Sequence, residues 1–266
     1  MTTPDRSPCI VLDAASPAVL GETVMSRLQR LATQHSPVAA GERIYTAGDA
    51  FTAIYAVRFG AIKTVVDDSF GNEQIMAFHL PGEFFGLASI HAGCHRNTAI
   101  ALQRSAVCSL SYQALESVAD AYPALRRQLM RLMSGAILSE QGAYAAIAGH
   151  AAPARLAFLL LSLRLRMARD QPPPDRVSLP MSRADLGNSI GLTPETTSRV
   201  FTQFRRDGLI EASGRQVRFV NVPGLEALAD AIVGQSGTDQ VPQNVAGTIS
   251  SGAGGVRSQS FDEDAS

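Results

Sequence analysis

The chain has 266 residues, 45% of them hydrophobic and 18% charged, with a formal net charge of −1; this is ordinary for a globular protein and allows two modest domains with cores of their own. No apolar run approaches the roughly 20 residues of a membrane span, and MTTPDRSPCIVLDAASP lacks the cationic stretch and apolar core of a signal peptide, so a cytoplasmic protein without membrane partners is expected. Cys9, Cys94 and Cys108 form no CxxC pair; three scattered thiols suit a reducing compartment and cannot supply an all-cysteine zinc site or a four-cysteine iron–sulfur cluster.

Residues 1–35 read as an irregular N-terminal segment with a short helix around Val19–Ala32. The texture changes over 36–120. Runs such as IYAVRF, AIKTVV, EQIMAFHL and AVCSLSY are separated by Gly48-Asp49, Gly60, Gly71-Asn72, Pro81-Gly82 and Gly93. Short strands about 8–12 residues apart predict a small antiparallel barrel or sandwich. Asp68-Ser69-Phe70-Gly71-Asn72 reads as a hairpin tip.

Helical periodicity takes over from about Ala114, and Tyr122-Pro123 opens a long helix assigned to 121–150. Met130, Met133, Ile137, Glu140, Tyr144 and Ile147 are spaced alternately three and four residues apart, an a/d seam containing one acid. A helix packed on its own β domain would serve the same pattern, but so regular a seam favours a parallel homodimer with Glu140 facing its symmetry mate. Pro153, in the first turn of the next helix, opens a domain over 151–233. Residues 234–266, rich in Gly, Ser and Gln with an acidic end, read as a disordered tail.

Ser182-Arg183-Ala184-Asp185 is a variant capping box opening a helix that stops at Gly191. Thr193-Pro194-Glu195 then opens a second helix, with Thr as N-cap, Pro at the first position and an acid in the first turn. Two short helices joined by a Gly-containing turn form a helix-turn-helix. Counting about 100° per residue from Glu195, Ser198, Arg199, Thr202 and Arg206 share its face, while Thr197, Val200, Phe201 and Phe204 lie opposite. The apolar face is expected to pack on Leu186, Ile190 and Leu192. Gly208–Glu211 and Gln216–Val220, joined by Ser213-Gly214-Arg215, complete a β-hairpin wing. Residues 151–220 hold 11 arginines against 6 acids, a net of +5, whereas 1–150 hold 11 basic and 12 acidic residues. A polyanion is attracted to the former block. Arginine can donate two bonds to guanine and glutamate can accept from cytosine in a major groove, so Glu195, Ser198, Arg199, Thr193, Thr196, Thr202, Arg206, Ser182 and Arg183 are the candidate contacts to double-stranded DNA.

SRADLGNSIGLTPETTSRVFTQFRRDGLI closely resembles the helix-turn-helix of the CRP/FNR family of bacterial regulators, in particular the FNR and FixK branch with its Glu-x-x-Ser-Arg, here Glu195, Ser198 and Arg199. GERIYTAGDAFTAIYAVRFGAIKT, DSFGNEQIMAFHLPGEFFG and PALRRQLMRLMSG are similar to the family's β-roll and dimerisation helix, and the resemblance spans roughly 36–230. It implies an α+β chain: a cyclic-nucleotide-binding-like antiparallel β-roll (jelly roll), a long dimerisation helix and a C-terminal winged helix-turn-helix. It also implies a homodimer, mainly an activator, on the palindrome TTGAT-N4-ATCAA, controlling anaerobic, microaerobic or nitrogen-oxide-related genes. Arg199 would read the guanine, Glu195 the opposite cytosine, and Ser198 would help select the half-site. The loop Asp67, Asp68, Ser69, Phe70, Gly71, Asn72 and Glu73 would touch RNA polymerase.

The cofactor stays unknown. Cys108 matches the internal cysteine of the iron–sulfur members, but the N-terminal group is missing, and a cysteine on a strand reads as a small buried hydrophobe. Gly86 is followed by Leu87 where cyclic-nucleotide-binding members carry a ribose-binding acid, and Arg96 is followed by Asn97 rather than serine. For haem or nitric oxide sensing, His35, His79, His91, His95 and His150 are present without a diagnostic spacing. His91 and His95 are four apart but fall in a loop. A regulator without a small cofactor is favoured. No GxSxG, P-loop or HExxH motif supports an enzyme, and a stand-alone cyclic-nucleotide-binding module leaves residues 180–222 unexplained.

Overall fold

Glycine-punctuated strands build the first half of the molecule. The computed structural model describes residues 17–168 and 171–233. A helix, α1 (Pro17–Leu31), leads into β1 (Ala32–Gln34), β2 (Arg43–Tyr45), β3 (Ala53–Phe59), β4 (Ile62–Asp67), β5 (Glu73–His79), β6 (Phe84–Phe85), β7 (Thr98–Ala101) and β8 (Ala106–Ser111). These form two four-stranded sheets, ordered β1-β8-β3-β6 and β2-β7-β4-β5, with antiparallel pairing throughout. Val57, Ile62, Phe85, Ala99, Ala101 and Val107 fill the space between them. The fold is thus the expected α+β roll, and the four runs read as strands are strands. The tip 68–72 does close the β4–β5 hairpin, where Asp67 pairs with Glu73.

Helices follow: α2 (Tyr112–Ala121), α3 (Pro123–Ile147) and α4 (Ala152–Ala168), the last with Pro153 in its first turn. The helix-turn-helix comprises α5 (Arg183–Ser189) and α6 (Pro194–Arg206). Its wing is β10 (Ile210–Ser213) and β11 (Gln216–Phe219), with α7 (Val222–Val233) behind. A third strand, β9 (Arg176–Ser178), pairs with β11 and widens the wing to a three-stranded sheet. On α3, Met130, Ile137, Glu140 and Tyr144 are exposed and Met133 is half-buried. The side chain of Ile147, and the tail expected over 234–266, lie outside the described residues.

The two cores expected from the sequence are joined. One continuous cluster runs from Ala61, Val65, Ile75, Phe78, Leu80 and Ile100 of the roll to Leu156, Leu160, Leu163, Leu186, Phe201 and Phe204 of the reading domain. Alternation on β7 explains it. Ala99 and Ala101 face the interior of the roll, while Ile100 faces outward into this second cluster. The sheet β2-β7-β4-β5 therefore buries apolar groups on both faces, and the second face is covered by the helices that follow.

Candidate nucleic-acid interface

Local capping sets the two helices. Ser182 Oγ accepts from the Asp185 N–H (3.0 Å), and Asp185 accepts from the Ser182 N–H (2.9 Å), closing the capping box of α5. Thr193 Oγ1 accepts from the Thr196 N–H (3.2 Å) at the start of α6, with Pro194 in its first turn. Both caps satisfy backbone donors that a helix start leaves without intrahelical partners. Thr197, Val200, Phe201 and Phe204 are buried against α5, as their spacing requires. Thr197 Oγ1 also donates to the Thr193 carbonyl (2.9 Å).

The opposite face is open. Glu195, Ser198, Arg199, Thr202 and Arg206 are exposed, as are Thr193 and, at the wing tip, Arg215, while Thr196 is half-buried. Glu195 is held below its ordinary range, first by its own backbone N–H, then by the Thr193 hydroxyl and the charge of Arg199. Ser182 and Arg183 are placed differently. The Ser182 hydroxyl belongs to the cap and donates to Asp185 (2.6 Å), and the Arg183 guanidinium lies 4.7 Å from the Phe201 ring centroid. Other arginines of the basic block are also engaged within the chain. Arg155 bonds the His150 and Ile190 carbonyls, Arg164 stacks on Phe219, Arg166 pairs with Glu83, and Arg218 pairs with Glu211. Among the described residues of this block, Arg176, Arg199, Arg205 and Arg215 are also exposed, and the exposed Arg206 bonds only its neighbour Asp207 (3.1 Å), so the outward-facing charge gathers on α6 and the wing.

On the β4–β5 hairpin of the roll, Asp68 builds the tip by accepting from the N–H groups of Phe70 (2.8 Å) and Asn72 (2.9 Å) and from the Asn72 side chain (2.9 Å). These bonds hold its carboxyl below the usual range. Phe70 is 88% exposed on this tip. Glu73 instead faces Lys63 at 3.5 Å.

The interior of the roll is occupied by rings. Tyr45 stacks on His95 at 3.6 Å and packs against Tyr55 and Phe85. Gly86, at φ 88°, opens a single 3-10 turn over Leu87–Ser89. The Tyr45 hydroxyl donates to Asn97 Oδ1 (3.0 Å). Where a cyclic nucleotide would need a ribose-binding acid the chain offers Leu87, and where serine would follow the phosphate-binding arginine, Arg96 is followed by an Asn97 already bonded to Tyr45; with the ring stack beside them, these residues do not fit that ligand. A four-thiolate cluster does not fit either. The sequence has three cysteines, and Cys108 is buried on β8 in the hydrophobic core beside Ile54, Ala56 and Leu110. Among the described residues no group of three His, Cys, Asp or Glu could hold a metal. His35, His79 and His95 bond Ser109, Thr64 and Ser89, and His91 and His95 share no helix.

A capped helix pair with an exposed polar helix and a basic wing, carried behind a β-roll, defines a DNA-binding transcription regulator, a class without enzymatic activity. The cyclic nucleotide-binding domain model matches residues 36–122, and the Crp-like helix-turn-helix domain model matches 154–228. The chain belongs to the CRP/FNR family, in its FNR/FixK branch. It is 37% identical to the transcriptional activator protein FnrA of Stutzerimonas stutzeri over 221 residues, 83% of this chain and 91% of that protein. It is 36% identical to the transcriptional regulatory protein btr of Bordetella pertussis over 222 residues, covering 84% and 92%. The structure of FixK2 from Bradyrhizobium japonicum superposes with a TM-score of 0.67 at 32% identity, covering 74% of this chain and 96% of that one. No helix among the described residues is long and apolar enough to cross a membrane.

Proposed function

We propose that the chain is an activator that binds the palindrome TTGAT-N4-ATCAA as a homodimer through α6. The observation that carries this reading is the single exposed face of α6, where Glu195, Ser198 and Arg199 stand together. On this reading Arg199 donates to guanine and Glu195 accepts from cytosine. Thr193, Thr196, Thr202 and Arg206 flank them, and the exposed seam of α3 joins two copies so that protein and operator share a two-fold axis. Ser182 and Arg183 act at most through the start of α5, since both are engaged within the domain. The tip Asp67–Glu73, with Phe70 outermost, is the surface offered to RNA polymerase, and the ring-filled roll supports a regulator without a small effector. Membership of the FNR/FixK branch is what favours anaerobic, microaerobic or nitrogen-oxide-related targets. A gel-shift titration tests the assignment. Arg199→Ala is expected to lose roughly 1–3 kcal/mol of binding and to relax discrimination at the G·C pair; unchanged binding and discrimination would remove Arg199 from its role. Phosphate contacts should also give a steep salt dependence.

A further inference from the structure

The reading domain is gripped by the edge of the β-roll through polar groups that its DNA-facing surface does not use. As the edge strand of β2-β7-β4-β5, β5 presents backbone groups with no neighbouring strand. Asn188, on α5, takes that place: its Oδ1 accepts from the Ile75 N–H (2.6 Å) and its Nδ2 donates to the Glu73 carbonyl (2.8 Å). One carboxamide thus makes the pair of bonds a strand residue would make. Gln74 Nε2 donates to the Asn188 carbonyl (2.8 Å). Beside it Lys63, the single lysine of the chain, reaches Asp185 Oδ1 at 3.1 Å. Both side chains are mostly shielded, at 15% and 21% exposure, so this pair is less screened than an ion pair on open surface.

Asp185 and Asn188 stand three apart on α5, and α5 is packed tightly on α6. A Cβ added to Gly187 would lie 2.3 Å from Thr197 Oγ1, so a displacement of α5 carries α6 with it. The covalent link between roll and reading domain is short, running from the end of α3 at Ile147 to the start of α4 at Ala152, and it contains Gly149 in the left-handed region. We propose that Asn188 and Lys63 are positioning residues, which fix the angle of α6 against the β5 edge and thereby set the geometry of two reading helices on one operator. The inference rests on the dimeric operator binding proposed above. Two half-sites one helical turn apart demand that both reading helices be correctly aimed at once, whereas one helix on an isolated half-site can follow the groove freely. The coupling is reciprocal: an operator that requires the gripped arrangement must strengthen the grip.

The full-length chain is tested as Asn188→Ala, Lys63→Glu and the conservative Lys63→Arg. The probe is the duplex that wild-type protein retains from a random-sequence pool, together with its isolated half-site. Asn188→Ala and Lys63→Glu are expected to bind the full operator about tenfold more weakly, the size of one lost hydrogen-bonded contact. Half-site binding should be unchanged, and Lys63→Arg should behave as wild type. In hydrogen exchange, residues 73–79 and 183–189 should open faster in the two disrupting variants, and operator should slow exchange at Ile75 in wild type. Equal losses on operator and half-site would mark a merely structural role. Unchanged operator affinity, or an Ile75 amide indifferent to operator, would also overturn the proposal. Wild type retaining no duplex would instead sink the DNA-binding reading itself, whereas a retained sequence unlike TTGAT would correct only the operator.

Discussion

Gly187 shows how little space separates the two helices of the helix-turn-helix. Its missing side chain leaves room for Thr197, and an added methyl would also press on the Leu192 carbonyl at 3.0 Å. Backbone and a hydroxyl buried in its own hydrogen bond cannot yield as a flexible side-chain end could. Gly187→Ala should therefore cost about 1–3 kcal/mol of stability, read as a lower urea midpoint with an unchanged slope. The caps of α5 and α6 were legible in the sequence because each acts over three residues, from Ser182 to Asp185 and from Thr193 to Thr196. Gly187, Lys63 and Asn188 were not. Their partners lie on other elements, up to 122 positions away for the Lys63–Asp185 bond, and no local pattern marks such a pairing.

At the level of elements, β5 combines three duties: a wall of the roll, a seat for α5 and a support for the hairpin tip. His79 ends it, bonded to Thr64 at 3.2 Å. Burial drives its pKa down from 6.5 to about 4, with Glu83 opposing and Arg166 reinforcing the shift. Between those values the unfolded chain binds a proton that the folded chain refuses, so stability falls as pH drops from about 6.5 toward 4. The contribution is at most about 3 kcal/mol. Urea melts at pH 7 and pH 5 should separate for wild type and draw together for His79→Gln; equal separation in both would assign the loss to other groups. The strands that escaped the sequence reading are instructive. Thr98–Ala101 is buried at every position, because covered faces on both sides erase the alternation that announces a half-exposed strand. Arg43–Tyr45 and Arg176–Ser178 are three residues each, too short for any period to show. The hairpin and the wing were visible because their turns carry glycine where the chain takes positive φ, at Gly71 and Gly214.

For the whole molecule, the exposed face of α3 is the surface on which the dimer proposed above would assemble. Glu140 is exposed on the same helix as Ile137 (55% exposed) and Tyr144 (76%). On the dimer proposed here it meets its own copy, and like charges facing across a seam weaken association. Glu140→Ala is expected to move the sedimentation equilibrium toward dimer and to tighten operator binding; no shift would place the acid outside the seam. The family and the helix-turn-helix could be read from sequence, yet the joined core could not. It depends on Ile100, Ile75 and Phe78 being covered by α4–α6, a matter of which faces meet.

That joined core bears on how such regulators can be recombined. The Arg166 guanidinium of α4 bonds the Glu83 carboxylate (2.6 Å) and caps the Phe78 carbonyl (2.5 Å), beside the apolar face shared by the two halves. A hybrid protein spliced at Gly149, with this reading domain behind a foreign roll, would strand that cation and remove the β5 edge on which α5 is seated, unless the new roll supplied a matching acid and edge. The interchangeable part is thus larger than the helix-turn-helix: it includes the β4–β5 hairpin and the carboxylate of Glu83, and grafts that keep those segments together are the ones expected to fold.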